Sequence, residues 1–195
     1  MDEIGKTLIT GGCRCGKSTY ALHLAEGHTN RVFIATAEAR DREMAERIER
    51  HKRQRNNTWR TVEEPLELAG CLAREMGPEG LVVVDCLTLW LSNLMVRGDT
   101  CESIMDRVKT LTGIIQGRPG NLIMITNEVG WGIVPEHELA RQFRDLAGFA
   151  NQRLAEVCSR VVLMVSGLPV IIKGKKDKKG FRFQCSGFRS YLSQF

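Results

Sequence analysis

Short apolar runs rich in β-branched residues recur along the chain, separated by longer stretches of mixed polarity. Runs of this length that are apolar throughout are typical of strands buried on both faces of a sheet. A further run near the C-terminus could add a strand at the sheet edge. The predicted strands are LIT at 8–10, VFIAT at 32–36, LVVVD at 81–85, LIMIT at 122–126 and VVLMVS at 161–166, with PVIIK at 169–173 as the edge strand.

The segments between these runs have the periodicity of helices. In the last of them, Leu139, Phe143, Leu146, Ala150 and Leu154 repeat every three or four residues, which predicts one buried stripe. Because strands alternate with helices, we predict an α/β fold with a mostly parallel, doubly wound sheet and flanking helices. The predicted helices span residues 17–26, 41–55, 65–76, 87–96, 102–116 and 136–158.

Length and charge favour one catalytic domain with a basic extension. A chain of 195 residues fits a single compact domain, which we place at residues 1–173. Residues 173–195 contain seven Lys or Arg and one acid, so the net charge of +5 belongs to this end and the rest is close to neutral. We therefore expect 174–195 to be a mobile basic tail. A near-neutral body with 6% aromatic residues argues against nucleic acid as a partner.

The cysteines and the lengths of the apolar runs indicate in which cellular compartment the protein is expected. The seven cysteines are odd in number, scattered, and contain no CxxC pair, so neither a zinc site nor a disulfide framework is predicted. No stretch is apolar for the roughly 18 residues that a membrane span requires. The N-terminus MDEIGKTLIT lacks the charge pattern of a signal peptide. We expect a cytoplasmic protein without a membrane span.

The strongest chemical motif is GGCRCGKS, Gly11 to Ser18, which matches G-x-x-x-x-G-K-[ST] at every fixed position. A predicted strand precedes it and a helical pattern follows it, as a phosphate-binding loop (P-loop) requires. Its backbone N–H groups can bind phosphate oxygens, and Lys17 is expected to reach the β- and γ-phosphates. The Ser18 hydroxyl is the predicted Mg²⁺ ligand.

Polar residues that follow two later strands point to the same edge of the sheet. Asp85 ends the run LVVVD. A carboxylate at this position can help to hold Mg²⁺ or, alternatively, can cap the helix that follows. Asn127 and Glu128 follow LIMIT and should emerge beside the P-loop, although Gly and Pro nearby also fit ordinary loop chemistry.

The stretch ERHKRQRNNTWRT, residues 49–61, places one imidazole among five cations. Met44, Ile48 and His51 share one helical face, so His51 stands at the end of a buried stripe. On its own, this pattern is equally consistent with a histidine at the end of a solvated helix.

Beyond the P-loop, the chain resembles the bifunctional adenosylcobinamide kinase/adenosylcobinamide-phosphate guanylyltransferases of cobalamin biosynthesis over about residues 6–173. The combination of segments is far more specific than the P-loop alone. The matching segments are TGGCRCGKS, IAT at 34–36, MAERIERHK at 44–52, WRTVE at 59–63, VDCLTLWLSNL at 84–94 and TNEVGWGIVPEHELARQFRDLAGFANQRLA at 126–155.

The resemblance implies two reactions in a RecA-like P-loop NTPase fold. In the first, ATP or GTP phosphorylates the aminopropanol hydroxyl of adenosylcobinamide. In the second, GTP donates GMP to adenosylcobinamide phosphate, giving adenosylcobinamide-GDP and pyrophosphate through a covalent guanylyl-histidine. A homotrimer, with the nucleotide near a subunit boundary, is also implied.

The resemblance also assigns roles to particular residues. His51 is the implied site of guanylylation, and Lys17 is the implied catalytic residue of the P-loop. Independently of the resemblance, the motif and the strand-end carboxylate predict Ser18 and Asp85 as the metal-site residues. The residues implied to contact nucleotide are Gly11, Gly12, Cys13, Arg14, Cys15, Gly16, Lys17, Ser18, Ala35, Thr36, Ala37, Lys52, Arg53, Gln54, Arg55, Glu63 and Asp85.

The cations around His51 suit this implied chemistry. A phosphoramidate forms from neutral imidazole, and neighbouring positive charges disfavour the imidazolium. The C-terminal end of a helix acts in the opposite direction. The same cations can neutralise charge that develops on the α-phosphate and on the leaving pyrophosphate.

Two other functions use the same P-loop. The first is a small-molecule kinase without guanylyl transfer. The second is a nucleotide-dependent binding or switch protein, in which the loop senses the nucleotide. A covalent label from GTP on His51 separates both alternatives from the bifunctional enzyme.

Overall fold

Seven strands form one sheet in the computed structural model, which describes residues 4–39, 41–43, 45, 46, 49 and 58–175. The strand order is β3-β2-β4-β5-β1-β6-β7, and all neighbours are parallel except the last pair, β6 and β7. The strands are β1 Lys6–Gly11, β2 Arg31–Ala35, β3 Trp59–Glu63, β4 Leu81–Asp85, β5 Asn121–Ile125, β6 Arg160–Val165 and β7 Leu168–Lys173.

Helices pack on both faces of this sheet because the side chains on both faces of the central strands are apolar. On β4, Val82 and Val84 point into a core shared with α2 to α5, whereas Leu81 and Val83 point into a core shared with α1. The helices are α1 Lys17–Leu24, α2 Leu68–Glu75, α3 Leu87–Arg97, α4 Cys101–Gly117 and α5 Glu138–Val157.

The predicted α/β fold with a mostly parallel sheet and flanking helices is confirmed. All six predicted strands are present, and 169–173 is the antiparallel edge strand β7. The strand β3, Trp59–Glu63, was not predicted and pairs in parallel with β2 at the opposite edge.

One predicted core position is wrong. Leu139 is 63% exposed, because it lies in the first turn of α5, before the helix reaches its packing partners. Further along the same stripe, Leu146, Ala150 and Leu154 are buried, and Phe143 packs against them from a half-buried position.

Two predictions fall largely on residues outside the described part of the chain. Most of the predicted helix 41–55, including Met44, Ile48 and His51, lies there, as does the tail from residue 176 onward. The division into a domain at 1–173 and a tail therefore stays a prediction. Within the described residues, none of the helices is both long enough and apolar enough to cross a membrane.

Strand register brings the ends of the parallel strands to one level. Ala35 on β2 pairs with both Glu63 on β3 and Asp85 on β4, and Asp85 pairs with Ile125 on β5. Since β5 also pairs with β1, the loops that follow these five strands share the carboxyl edge of the sheet. Ligands of open α/β sheets bind at this edge.

Candidate nucleotide-binding site

The P-loop runs from the end of β1 to the start of α1 and depends on two glycines. Gly11 has φ of 146°, and a Cβ at this position would lie 2.5 Å from the Met164 carbonyl oxygen and 2.8 Å from Cys15 Sγ. Gly16 has φ of 98° and is the N-cap of α1. A side chain is thus excluded at Gly11 by contact and disfavoured at Gly16 by conformation. The first-turn amides of α1 are free of a capping side chain and suit an anion.

Lys17 is the first residue of α1 and is buried, with 8% of its surface exposed. Its Nζ donates to the carbonyl oxygens of Gly11 at 3.0 Å and Gly12 at 2.6 Å, and Cys15 Sγ lies 3.7 Å away. The ammonium therefore lies within the curve of the loop, on the side of its backbone. A bound phosphate would replace neutral carbonyl acceptors with charged ones, which form the stronger hydrogen bond.

Ser18, in the first turn of α1, contacts Asp85 at the end of β4, although β4 is not adjacent to β1, the strand that leads into α1. Ser18 Oγ donates to Asp85 Oδ2 at 2.8 Å, across the end of β5, which separates β4 from β1. The N-cap of α3 is Cys86 rather than Asp85, and it makes no side-chain capping bond. The alternative role of Asp85 as a helix cap is thus wrong.

This pair has the donor chemistry that Mg²⁺ prefers. A hydroxyl and a carboxylate supply hard oxygen ligands, and substrate phosphates and waters commonly complete such a site. Within the described residues there is no group of three or more His, Cys, Asp or Glu that could hold a metal by itself. The arrangement therefore fits an ion that is bound together with nucleotide phosphates, not a preformed protein cage.

The end of β2 and the residues that follow it, Ala35 to Ala37, are bonded to the backbone after β4. Thr36 is fully buried; its Oγ1 donates to the Cys86 carbonyl at 2.7 Å and accepts from the Cys86 N–H at 2.8 Å. The Asp85–Cys86 peptide bond is cis. Thr36 therefore connects the loop after β2 to the backbone immediately after Asp85.

Asn93 on α3 holds two chain segments at once and was missed in the sequence. Its buried Nδ2 donates to the Thr36 carbonyl at 2.7 Å and to the Pro65 carbonyl at 3.2 Å. Glu63, which ends β3, is exposed at the same level of the sheet as Ala35. A buried amide with two backbone acceptors fixes the spacing between the loops after β2 and β3.

Glu128 lies beside the P-loop, as its position after β5, the strand between β4 and β1, led us to expect. Thr10 on β1 donates its hydroxyl hydrogen to Glu128 Oε1, and Asn151 Nδ2 lies 3.4 Å from the same oxygen. The neighbouring Asn127 accepts from Asn151 Nδ2 through its backbone carbonyl at 3.3 Å. Thr10 and Asn151 carried no signal in the sequence, because each is 23 or more residues from its partner.

The most reactive predicted residue lies outside the described residues. His51 and the adjacent Lys52, Arg53, Gln54 and Arg55 belong to this group. The structure gathers the P-loop, Ala35 to Ala37, Glu63 and Asp85 at the carboxyl edge, and it leaves the position of the histidine as a prediction.

Comparison with known proteins identifies the family. The family model described as cobinamide kinase / cobinamide phosphate guanyltransferase matches residues 7–172. The bifunctional adenosylcobalamin biosynthesis protein CobP of Pseudomonas aeruginosa is 44% identical over 171 residues, covering 87% of this chain and 98% of that protein. CobU of Escherichia coli, with the same description, is 39% identical over 178 residues, covering 85% and 98%.

The fold itself extends to distant P-loop proteins. The RadB recombinase structure superposes with a TM-score of 0.51 at 15% identity, covering 92% of this chain and 86% of that one. At this identity, the likeness shows the fold alone.

Proposed function

The chain belongs to the cobinamide kinase / cobinamide phosphate guanyltransferase family, and we propose that it phosphorylates adenosylcobinamide and then guanylylates the product. The observation that carries the proposal is the family match across residues 7–172. Within that range, the P-loop with its Ser18–Asp85 pair supplies the phosphate-binding geometry. The final products are adenosylcobinamide-GDP and pyrophosphate.

In the kinase reaction, the P-loop orients the γ-phosphate of ATP or GTP toward the substrate alcohol. Lys17 moves its ammonium from the Gly11 and Gly12 carbonyls to the β- and γ-phosphates, where it neutralises charge that develops during transfer. Ser18 and Asp85 would hold Mg²⁺, which when bound neutralises charge on the phosphate oxygens. Phosphoryl transfer needs this positioning more than it needs covalent chemistry from the protein.

In the guanylyltransferase reaction, His51 is the nucleophile. A neutral imidazole nitrogen attacks the α-phosphorus of GTP; the new N–P bond forms as the bond to the α,β-bridging oxygen breaks, and pyrophosphate leaves. A phosphate oxygen of adenosylcobinamide phosphate then attacks the same phosphorus, which releases the imidazole and forms the diphosphate. Covalent catalysis thus divides one transfer into two in-line displacements.

The contacts of the guanine nucleotide follow the carboxyl edge. Thr36 is held by Cys86 and Asn93, so the backbone from Ala35 to Ala37 presents a fixed surface beside Asp85. Glu63 ends the neighbouring strand at the same level. Lys52, Arg53 and Arg55, which follow His51, would add positive charge beside the triphosphate, and Gln54 would add a neutral hydrogen-bonding amide.

We place the corrinoid on the loop after β5. Val129, Trp131, Ile133 and Val134 are all exposed large apolar side chains on the segment that begins beside the P-loop. Clustered exposed apolar residues mark binding surfaces. A ring as large and apolar as a corrin can cover them while its side-chain alcohol extends toward the phosphates.

Assembly as a homotrimer is part of the proposal. The edge strand β7 exposes Leu168, Val170 and Ile172, an apolar row of the kind that subunit contacts cover. Light scattering should give about three times the chain mass of 21.9 kDa; a mass of one chain at micromolar concentration would contradict the assembly.

The deciding experiment labels the protein covalently. Incubation with Mg²⁺ and GTP labelled at the α-phosphate, followed by denaturation, should leave acid-labile, alkali-stable label on wild type. The label should be absent from His51→Ala and present in His137→Ala, a matched control at the N-cap of α5. Absence of label from folded wild type that still phosphorylates adenosylcobinamide would reduce the function to a P-loop kinase.

A further inference from the structure

Glu128 lies beside the part of the P-loop that is expected to contact the β- and γ-phosphates. Its backbone N–H donates to the Gly11 carbonyl oxygen at 3.2 Å. Lys17 Nζ donates to the same oxygen at 3.0 Å. One acceptor atom thus joins Glu128 to the lysine that is expected to contact the γ-phosphate.

The Glu128 carboxylate is held by one of its two oxygens. Oε1 accepts from Thr10 Oγ1, and the amide of Asn151 approaches it at 3.4 Å. Asn151 is itself oriented, because its Oδ1 accepts from Thr126 Oγ1 at 2.8 Å, which turns its NH₂ toward Glu128. Two neutral donors position a carboxylate without neutralising its charge.

The second oxygen of Glu128 remains available. Among the residues that the structure describes, none donates a hydrogen bond to Oε2, and none of the lysines or arginines forms an ion pair with this carboxylate. Glu128 is half-buried. An oriented carboxylate with one open oxygen beside a phosphate site has the geometry of a general base.

The other carboxylates at this edge suit the task less well. Asp85 is engaged by the Ser18 hydroxyl and faces the phosphate loop from the side of β4. Glu63 is exposed on the edge strand β3, separated from β4 by β2. Glu128 also begins the loop that exposes Val129 and Trp131, so an acceptor bound on those side chains meets this carboxylate first.

We propose that Glu128 is the general base of the kinase reaction, an inference that rests on the proposed function. The acceptor oxygen attacks the γ-phosphorus and forms the new O–P bond, while its proton passes to Glu128 Oε2. The bond from the γ-phosphorus to the β,γ-bridging oxygen breaks, and the nucleoside diphosphate leaves with that electron pair. The acceptor is an alcohol, whose hydroxyl must lose its proton during the transfer.

The test is Glu128→Gln, which keeps an oxygen to accept from Thr10 and Asn151 but removes the base. We expect kcat for phosphorylation of adenosylcobinamide to fall about 10²- to 10⁴-fold, with KM within about threefold of wild type. The acid limb of the wild-type pH profile of kcat should be absent from the residual activity of the variant.

Two measurements distinguish a catalytic role of Glu128 from a structural one. Guanylyl transfer to separately prepared adenosylcobinamide phosphate should stay at the wild-type rate in Glu128→Gln. Glu156→Gln, an exposed carboxylate at the far end of α5, should leave both reactions unchanged. Parallel loss of both reactions in Glu128→Gln, a change in KM alone, or an unchanged kcat would each overturn the assignment. A wild type that phosphorylates no corrinoid would overturn the proposed function itself, and the assignment with it.

Discussion

Two lysines at opposite ends of β1 make the same kind of contact, and we propose different roles for them. Lys6, at the amino end, donates through Nζ to the carbonyl oxygens of Arg118 at 2.9 Å and Gly120 at 2.6 Å. Lys17, just beyond the carboxyl end, donates to the carbonyl oxygens of Gly11 and Gly12 at 3.0 and 2.6 Å. Bond lengths alone do not distinguish a structural ammonium from one that binds substrate; the surroundings of the carbonyls do.

The carbonyls at the amino edge belong to a tightly packed turn. Gly120 has φ of 101°, and a Cβ there would lie 2.0 Å from the Gly77 carbonyl oxygen. Burial lowers the pKa of Lys6, against a smaller opposing effect of Cys158. The carbonyls at the carboxyl edge instead belong to a loop whose amides are open to an anion, so Lys17 can exchange its partners.

The largest expected effect is that of Lys17→Ala. Kinase kcat/KM should fall at least 10²-fold, because the charge that stabilises the transferring phosphate is removed. The free energy of unfolding should change by about 1 kcal/mol or less, since the exposed Gly12 carbonyl can be hydrated and the Gly11 carbonyl keeps the Glu128 N–H as a donor. Steady-state kinetics and urea titration measure the two quantities. Activity within a few-fold of wild type would remove the distinction between the two lysines.

Lys6→Ala is the matched change at the amino edge, and we expect it to lower stability without lowering catalysis. Loss of two hydrogen bonds to backbone carbonyls should destabilise the fold by about 1–2 kcal/mol. The kcat of both reactions, measured on folded protein, should equal that of wild type. A drop in kcat without a drop in stability would show that the amino edge also affects catalysis.

The smallest effect concerns Cys158, which lies near Lys6 and Lys173 at the amino edge. Burial raises the pKa of its thiol from 9.0 to about 12, while the two lysines act to lower it. The thiol stays protonated in the fold but ionises in the unfolded chain above pH 9. The stability it contributes is therefore complete below pH 9 and is lost as the pH rises from 9 toward 12.

Cys158→Ala removes this pH dependence. Between pH 8 and pH 10, wild type should lose about 1 kcal/mol more unfolding free energy than Cys158→Ala does. Urea titrations at both pH values on both proteins give the comparison. Equal losses would mean that the thiol ionises equally well in the folded protein.

The carboxyl edge could be predicted from the sequence where the signal was local. The spacing of Gly11, Gly16, Lys17 and Ser18 defines the P-loop without knowledge of the sheet. Asp85 could be placed at the same edge because it directly ends a buried apolar run. The structure adds the Ser18–Asp85 contact, which requires both elements to be packed.

What could not be predicted depends on neighbours that are distant in sequence. WRTVE at 59–63 has neither an apolar run nor a strict alternation and is largely exposed, so its strand character comes from pairing with β2. Thr10 reaches Glu128 only because β5 lies beside β1, an arrangement that strand order decides. Leu139 keeps the helical period, but it lies in the first turn of α5, before the helix reaches the core.

On the proposed placement of nucleotide and acceptor, the carbonyl oxygen of Gly11 connects the two substrates of the kinase. It accepts from Lys17 and from the Glu128 backbone, so withdrawal of the ammonium toward a nucleotide leaves the amide as the remaining donor of this pair. Occupancy of the nucleotide site would thereby affect Glu128, at the start of the loop after β5. If bound nucleotide changes the affinity for the acceptor through this loop, then by thermodynamic reciprocity the acceptor changes the affinity for the nucleotide by the same factor. A single backbone carbonyl can thus couple the affinities of the two molecules, whichever of them binds first.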